Sequence, residues 1–130
     1  MGSSPALYFR QAAVLAAIGL LLSACGSFGD TESIKAANEY AVDCQPDKAL
    51  AALDRAQQGG GLSSYLAELE KIVVLQDAGR TREASAALQS YYTDHGEAGD
   101  NHEDTEKSIN DSLTQLRDQR LKKTGQKTCP

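Results

Sequence analysis

The chain has 130 residues, which is enough for a single small domain. Its formal net charge is −5, from 13 Lys and Arg residues against 18 Asp and Glu residues. Because nucleic-acid binding depends on a basic patch or stripe, this acidic balance excludes nucleic acid as an expected partner. It also excludes electrostatic attachment of the domain to anionic lipid.

The first 24 residues follow the pattern of a secretory signal peptide. A polar stretch that ends at Arg10 precedes an apolar run over residues 12–22, and small residues follow it. A permanent membrane helix needs about 20 apolar residues, so this run is too short to remain in the bilayer as one. An N-terminal anchor that is not cleaved is the alternative, and the residues that end the run argue against it.

Leu22-Ser23-Ala24-Cys25 closes the run. The segment resembles the lipobox of bacterial lipoproteins, in which an aliphatic residue and two small residues precede an invariant cysteine. The resemblance implies cleavage after Ala24, a diacylglycerol thioether on Cys25 and acylation of its new amino group, and two or more chains anchor a protein stably. An aspartate after the cysteine favours the inner membrane in enterobacterial lipoproteins. Gly26 stands there instead, which implies an outer-membrane lipoprotein that faces the periplasm.

Residues 25–30 are predicted to form a short lipidated tether, and the chain after them is predicted to be helical. Proline is tolerated only in the first turn of a helix, so Pro46 separates the first two helices. Gly79 is placed to cap the third helix at its end. No stretch alternates apolar and polar residues over enough length to predict a strand, so the predicted fold class is all-α. Apolar spacing predicts four helices over residues 31–42, 46–58, 63–78 and 81–93.

Residues 96–130 are predicted to form an acidic loop, a capping helix and a tail. Asp100-Asn101-His102-Glu103 has the pattern of a capping box, in which two side chains satisfy free N–H groups at a helix start. The helix that follows, over residues 104–123, carries a thin apolar stripe. Basic residues gather at its end, which suits the helix dipole, and we interpret this end as solvated.

The second and fourth helices repeat one pattern at a spacing of 35 residues. Ala49 and Leu53 in the first copy correspond to Ala84 and Leu88 in the second. A helix-turn-helix unit that repeats at about this length resembles the tetratricopeptide repeat. The resemblance covers residues 31–95 and implies two antiparallel helical hairpins, with the C-terminal helix as a polar-faced cap over their open end. An ordinary helical bundle is the alternative.

Lipidation of Cys25 would leave two other cysteines, Cys44 and Cys129, in an oxidising compartment. We expect these two to form a disulfide that ties the C-terminal tail to the front of the domain. A free thiol and an intermolecular bridge are the alternatives.

No catalytic constellation stands out, so the sequence predicts a non-enzymatic protein without a cofactor. Its two histidines, His95 and His102, lie in a segment rich in Asp and Glu, and both residue types are ligands of zinc. Their spacing matches no zinc or calcium motif. We therefore interpret the segment as a solvated acidic loop and predict no metal site.

The resemblance to tetratricopeptide arrays also implies peptide binding along the surface made by the first helix of each pair. In this chain that surface would hold Asn38, Val42, Leu69, Val73, Gln76 and Asp77. Tyr92 lies off the apolar stripe and is a further candidate, as an exposed anchor for a partner. We expect a lipid-anchored periplasmic interaction module for an unidentified envelope protein, for example in a secretion or pilus machine. A permanent accessory subunit of an outer-membrane complex is the alternative, and a metal-dependent enzyme is a third.

Overall fold

The computed structural model describes residues 30–96 and 101–130, and within them the chain is all-α, as predicted. α1 and α2 form one antiparallel hairpin, α3 and α4 form a second, and α5 packs against both. None of the helices in these two ranges combines the length and apolar character that a membrane span requires. The helices are α1 (Thr31–Val42), α2 (Pro46–Gln58), α3 (Gly61–Asp77), α4 (Thr81–His95) and α5 (His102–Thr124).

The start of α1 is fixed by a capping side chain that immediately precedes it. The Asp30 carboxylate accepts a hydrogen bond from the Ser33 amide at 3.0 Å, and another from the Ser33 hydroxyl. These two bonds stabilise the charged carboxylate and lower the pKa of Asp30. They also satisfy one of the amide groups that a helix start leaves without a partner.

The bounds of α3, α4 and α5 differ slightly from the predicted ones. α3 begins at Gly61, two residues before its predicted start, and α4 continues to His95, two residues beyond its predicted end. α5 begins at His102, where the Asn101 side chain accepts a hydrogen bond from the Glu103 amide at 3.1 Å. Asp100, which was predicted to open the capping box, lies outside the described residues.

The turn between α3 and α4 ends α3 through a glycine. Gly79 takes a left-handed conformation with φ of 72°, and its amide donates to the Gln76 carbonyl at 3.0 Å. The next amide, of Arg80, reaches back to the Leu75 carbonyl at 2.9 Å. These two bonds define a Schellman motif, which needs a left-handed residue after the helix end. The predicted role of Gly79 is confirmed.

The turn between α1 and α2 repeats this geometry 35 residues earlier, with a cysteine in place of the glycine. Cys44 has φ of 58° and is the one non-glycine residue with positive φ in residues 30–96 and 101–130. Its amide donates to the Ala41 carbonyl at 3.1 Å, and the Gln45 amide donates to the Tyr40 carbonyl at 2.8 Å. The left-handed conformation costs a residue with a side chain about 1–2 kcal/mol. Something other than local preference therefore holds Cys44 in it.

The repeated alanine and leucine positions lie in the core. Ala49 and Leu53 are fully buried, Ala84 is almost so, and Leu88 is partly buried against the core. The two alanines occupy equivalent places near the starts of α2 and α4. Because their side chains are small, the second helix of each hairpin can approach its neighbours closely.

α5 lies across the hairpins and contacts three of their helices. Its start meets the end of α4, where the His102 ring stacks on the Tyr92 ring at a centroid distance of 3.7 Å. Its body packs mainly against α3. Its end reaches α1, where Lys123 Nζ lies 2.6 Å from Asp43 Oδ1. The helix thus passes from α4 over α3 to α1, instead of covering only the end of the second hairpin.

Candidate partner-binding face

The α1–α3 face is the surface formed by the first helix of each hairpin, and the sequence predicted partner binding there. α5 packs along this face and occupies part of it. Of the six predicted residues, Asn38 and Val42 lie on α1, and Leu69, Val73, Gln76 and Asp77 lie on α3.

Arg120 of α5 is the most strongly engaged residue of the face, and it is 1% exposed. Its guanidinium forms a two-point ion pair with Asp77, with Nη1–Oδ1 at 3.0 Å and Nη2–Oδ2 at 2.5 Å. Nε donates to the Val42 carbonyl at 3.2 Å and Nη2 donates to the Ala41 carbonyl at 2.7 Å. Nη1 also donates to the Lys127 carbonyl at 2.7 Å. One side chain therefore joins α5 to the ends of α1 and α3 and to the C-terminal tail.

These partners explain how a guanidinium tolerates burial at this position. A buried charge is costly unless it is paired and hydrogen-bonded, and arginine carries five N–H donors in a planar fork. The carboxylate of Asp77 matches two arms of that fork. The carbonyls of Ala41 and Val42 belong to the last turn of α1, where the helix dipole is negative. Arg117 adds a longer contact, with Nε 3.5 Å from Asp77 Oδ1.

The interpretation of the basic end of α5 as solvated is wrong for Arg120. It holds for Lys122 and Lys123, which are exposed. A signal for the difference was present, because Arg120 continues the buried stripe of Ile109 and Leu116 at helical spacing. From sequence alone, a charged residue at the end of an apolar stripe is taken to be exposed. The burial of Arg120 becomes evident only when the positions of its partners are known.

The other predicted residues of the face are buried or half-buried. Asn38 donates to Gln119 Oε1 at 2.8 Å, and Gln76 lines a small cavity together with Ile109. Val73 is 2% exposed, and Leu69 is partly buried against the core. The face is therefore engaged by the chain's own C-terminal helix, and partner binding on it stays a prediction.

Tyr92, the predicted exposed anchor, lies in the contact between α4 and α5. Its ring stacks on His102 at an interplanar angle of 17°, and its hydroxyl donates to the His102 carbonyl at 3.4 Å. Loss of solvent, together with the nearby charge of Glu106, raises the pKa of Tyr92. The residue is half-buried and contacts the start of α5, and its role as an anchor for a partner stays a prediction.

The expected disulfide between Cys44 and Cys129 is present, with the Cα atoms 5.6 Å apart. It lies at the same end of the molecule as Arg120 and borders a shallow cavity lined in part by Asp77 and Pro130. The bond constrains Cys44 in addition to the backbone hydrogen bonds of its turn. Cys25, the predicted site of lipidation, lies outside the described residues.

Sequence reasoning missed a second cluster, at the opposite end of α3. His95 Nε2 lies 2.9 Å from Glu68 Oε2, and its ring packs against the rings of Tyr65 and Tyr91. The Tyr91 hydroxyl donates to the Tyr65 hydroxyl at 2.5 Å. The sequence signal was helical spacing. Tyr65 and Glu68 are three residues apart on α3, and Tyr91 and His95 are four residues apart on α4. In the part of the chain that the structure describes, no three His, Cys, Asp or Glu residues are grouped to hold a metal ion.

No protein-family model, curated protein or solved structure matches this chain.

Proposed function

We propose that the protein is a lipid-anchored interaction module on the periplasmic face of the outer membrane, where it holds an envelope protein without chemical reaction. The observation that carries the proposal is the closeness of the lipidation sequence to the folded domain. Only five positions separate Cys25 from Asp30, which caps α1. A chain of that length spans at most about 18 Å, so the domain stays beside the membrane.

A short tether supports function by local concentration. A partner that also lies at the membrane meets a domain confined to a thin layer, and its binding becomes nearly intramolecular. Such confinement raises the occupancy of a weak contact without any new interaction. The lipid on Cys25 is therefore part of the binding mechanism, in addition to fixing the location.

The α1–α3 face supports a helical partner, because α5 already lies on it as a helix. A partner segment that binds there would pack beside α5 or replace part of it. The half-buried side chains of Asn38, Leu69 and Gln76 would make first contact. Replacement of α5 would break the Asn38–Gln119 hydrogen bond and, further along, the contacts of Arg120.

In-cell photo-crosslinking tests the proposal. A photoreactive amino acid at Gln76 probes the α1–α3 face, and the same group at Ala51, which is exposed on α2, is the matched control. We expect one envelope protein to crosslink to the Gln76 position and not to the Ala51 position. The Cys25→Ser variant should lose this product, because it loses the confinement at the membrane.

Recovery of no partner at native abundance would overturn the proposed module. A partner that crosslinks only at Ala51 would move the binding surface to the outside of α2 and α4. A partner that co-purifies permanently, with a domain that self-associates when isolated, would favour the accessory subunit instead.

A further inference from the structure

Two leucines at the start of α3 present apolar surface to solvent. Leu62 is 59% exposed and Leu66 is 39% exposed. They are four residues apart on one helix, so they are neighbours on the same side. Single exposed leucines are common in proteins, and what distinguishes this pair is its position near Asp30, where the described part of the chain begins.

The start of α3 lies beside the start of α1. A Cβ atom added to Gly59 would lie 3.4 Å from the backbone nitrogen of Asp30, so the turn before α3 touches the cap of α1. Leu62 follows Gly59 by three residues, and Asp30 follows Cys25 by five. The exposed leucines are therefore at the end of the molecule where the tether enters.

The direction of their side chains follows from helix geometry. The Cα–Cβ bonds of a helix tilt toward its N-terminus, so Leu62 and Leu66 lean toward the end of the molecule where α1 and α3 both begin. The disulfide and Arg120 lie at the other end, where α1 and α3 both terminate. Leu121, which is 41% exposed, belongs to that other end.

We propose that Leu62 and Leu66 rest against the periplasmic leaflet that holds the lipid on Cys25. The inference rests on the proposed lipid anchor and adds an orientation to it. A tether of at most about 18 Å keeps the leucines within reach of the leaflet. Because the domain is acidic, electrostatic attraction to lipid does not drive the contact. The contact is apolar instead, and removal of the leucine surface from water stabilises it. The α1–α3 face then runs away from the membrane, with its Arg120 end toward the periplasm.

Tryptophan fluorescence in the full-length lipidated protein tests the orientation, since the natural chain has no tryptophan. Leu62→Trp places the probe at the proposed contact, and Leu121→Trp is the control at the opposite end. Each variant is reconstituted into phosphatidylcholine vesicles with and without brominated acyl chains. We expect emission from position 62 to shift to the blue and to be quenched severalfold more strongly than emission from position 121.

Equal quenching at the two positions, or none at position 62, would overturn the orientation if mass spectrometry shows the lipid on Cys25. A blue shift at position 62 without bromine quenching would overturn it as well, because a second copy or another protein would then cover the leucines. Absence of lipid on Cys25 would overturn both the orientation and the anchor. Leu66→Trp gives the same readout if Leu62→Trp does not fold.

Discussion

Arg120 and Asp77 are 43 residues apart in the chain, and their side chains form a two-point ion pair that is almost completely buried. The exposed fractions of the two side chains are 1% and 6%. The pair lies where α1 and α3 both terminate, and it joins α5 to that end of the molecule. Removal of one partner would leave the other charge buried without its main ionic partner.

We predict that Asp77→Ala lowers the free energy of unfolding by about 3–5 kcal/mol, because it leaves the Arg120 guanidinium without its carboxylate. Urea unfolding, followed by far-ultraviolet circular dichroism with the disulfide intact, measures the change. The loss should appear as a lower urea midpoint.

Asp47→Ala is the matched control for this prediction. Asp47 also pairs with an arginine, with Arg80 Nη1 2.9 Å from its Oδ1, but its side chain is 92% exposed. Exposed pairs contribute little to stability, so the urea midpoint should stay near that of the natural protein. Equal losses in the two variants would contradict the special role of the buried pair.

The helices could be predicted from sequence because their signals act within one or two turns. The prediction for α1 coincides with Thr31–Val42, and Pro46 marks the start of α2 as expected. The 35-residue repeat places the two hairpin turns equivalently, and Gly79 and Cys44 both end their helices in the same way. Capping groups, proline and glycine each need only neighbouring residues to take effect.

The placement of α5 could not be predicted in the same way. Its stripe is thin, and its contacts with Val42 and Asp77 join residues that are far apart in sequence. The burial of Arg120 depends on a carboxylate and on helix-end carbonyls that come together only after both hairpins have formed. The cluster of Tyr65 and His95 has the same origin, since each residue alone is typical of an ordinary helix surface.

We predict that the disulfide stabilises the protein by about 4–5 kcal/mol in the chain-entropy model, because it joins residues that are 85 positions apart. Urea unfolding with and without a thiol reductant measures the effect. The Cys25→Ser background leaves Cys44 and Cys129 as the only cysteines. Further replacement of Cys44 by Ala and Cys129 by Ser should abolish the response to reductant, and a persistent response would contradict the assignment.

The left-handed backbone of Cys44 gives a separate prediction. Once the disulfide is removed by Cys129→Ser, Cys44→Gly should be more stable than Cys44→Ala by about 1 kcal/mol. Glycine is the residue that the equivalent turn uses at position 79, and it adopts a φ of 58° without steric cost. The urea midpoints of the two double variants measure the difference. Equal midpoints would show that position 44 leaves the left-handed region when the bond is absent.

The stacked rings of Tyr92 and His102 should couple α4 to α5. We predict an interaction energy of about 0.5–1.5 kcal/mol between them in a double-mutant cycle with Tyr92→Leu and His102→Leu. The four urea midpoints and slopes supply the energies. Additive effects would show that the two rings do not interact in solution. Tyr92 would then be available to contact a partner.

The desolvation of the Glu70 carboxyl group leads us to predict that the stability of the protein depends on pH. Glu70 is half-buried on α3, and desolvation raises its pKa above the ordinary value of 4.5. The folded state therefore favours the protonated form. The resulting destabilisation is absent below the unfolded pKa and becomes complete as the pH rises through the folded pKa. We predict that Glu70→Gln raises the thermal midpoint at about pH 7, and that this gain shrinks toward zero at about pH 4.

Thermal unfolding of the natural protein and of Glu70→Gln at both pH values checks this prediction. Glu39→Gln is the control, because Glu39 is exposed on α1, where water screens its charge in both states. The control should show no gain at neutral pH. A gain for Glu70→Gln that is the same at both pH values would contradict the titration of Glu70, since an amide that merely packs better stabilises the fold regardless of pH. A gain confined to neutral pH identifies the desolvated Glu70 carboxylate as the source of the destabilisation.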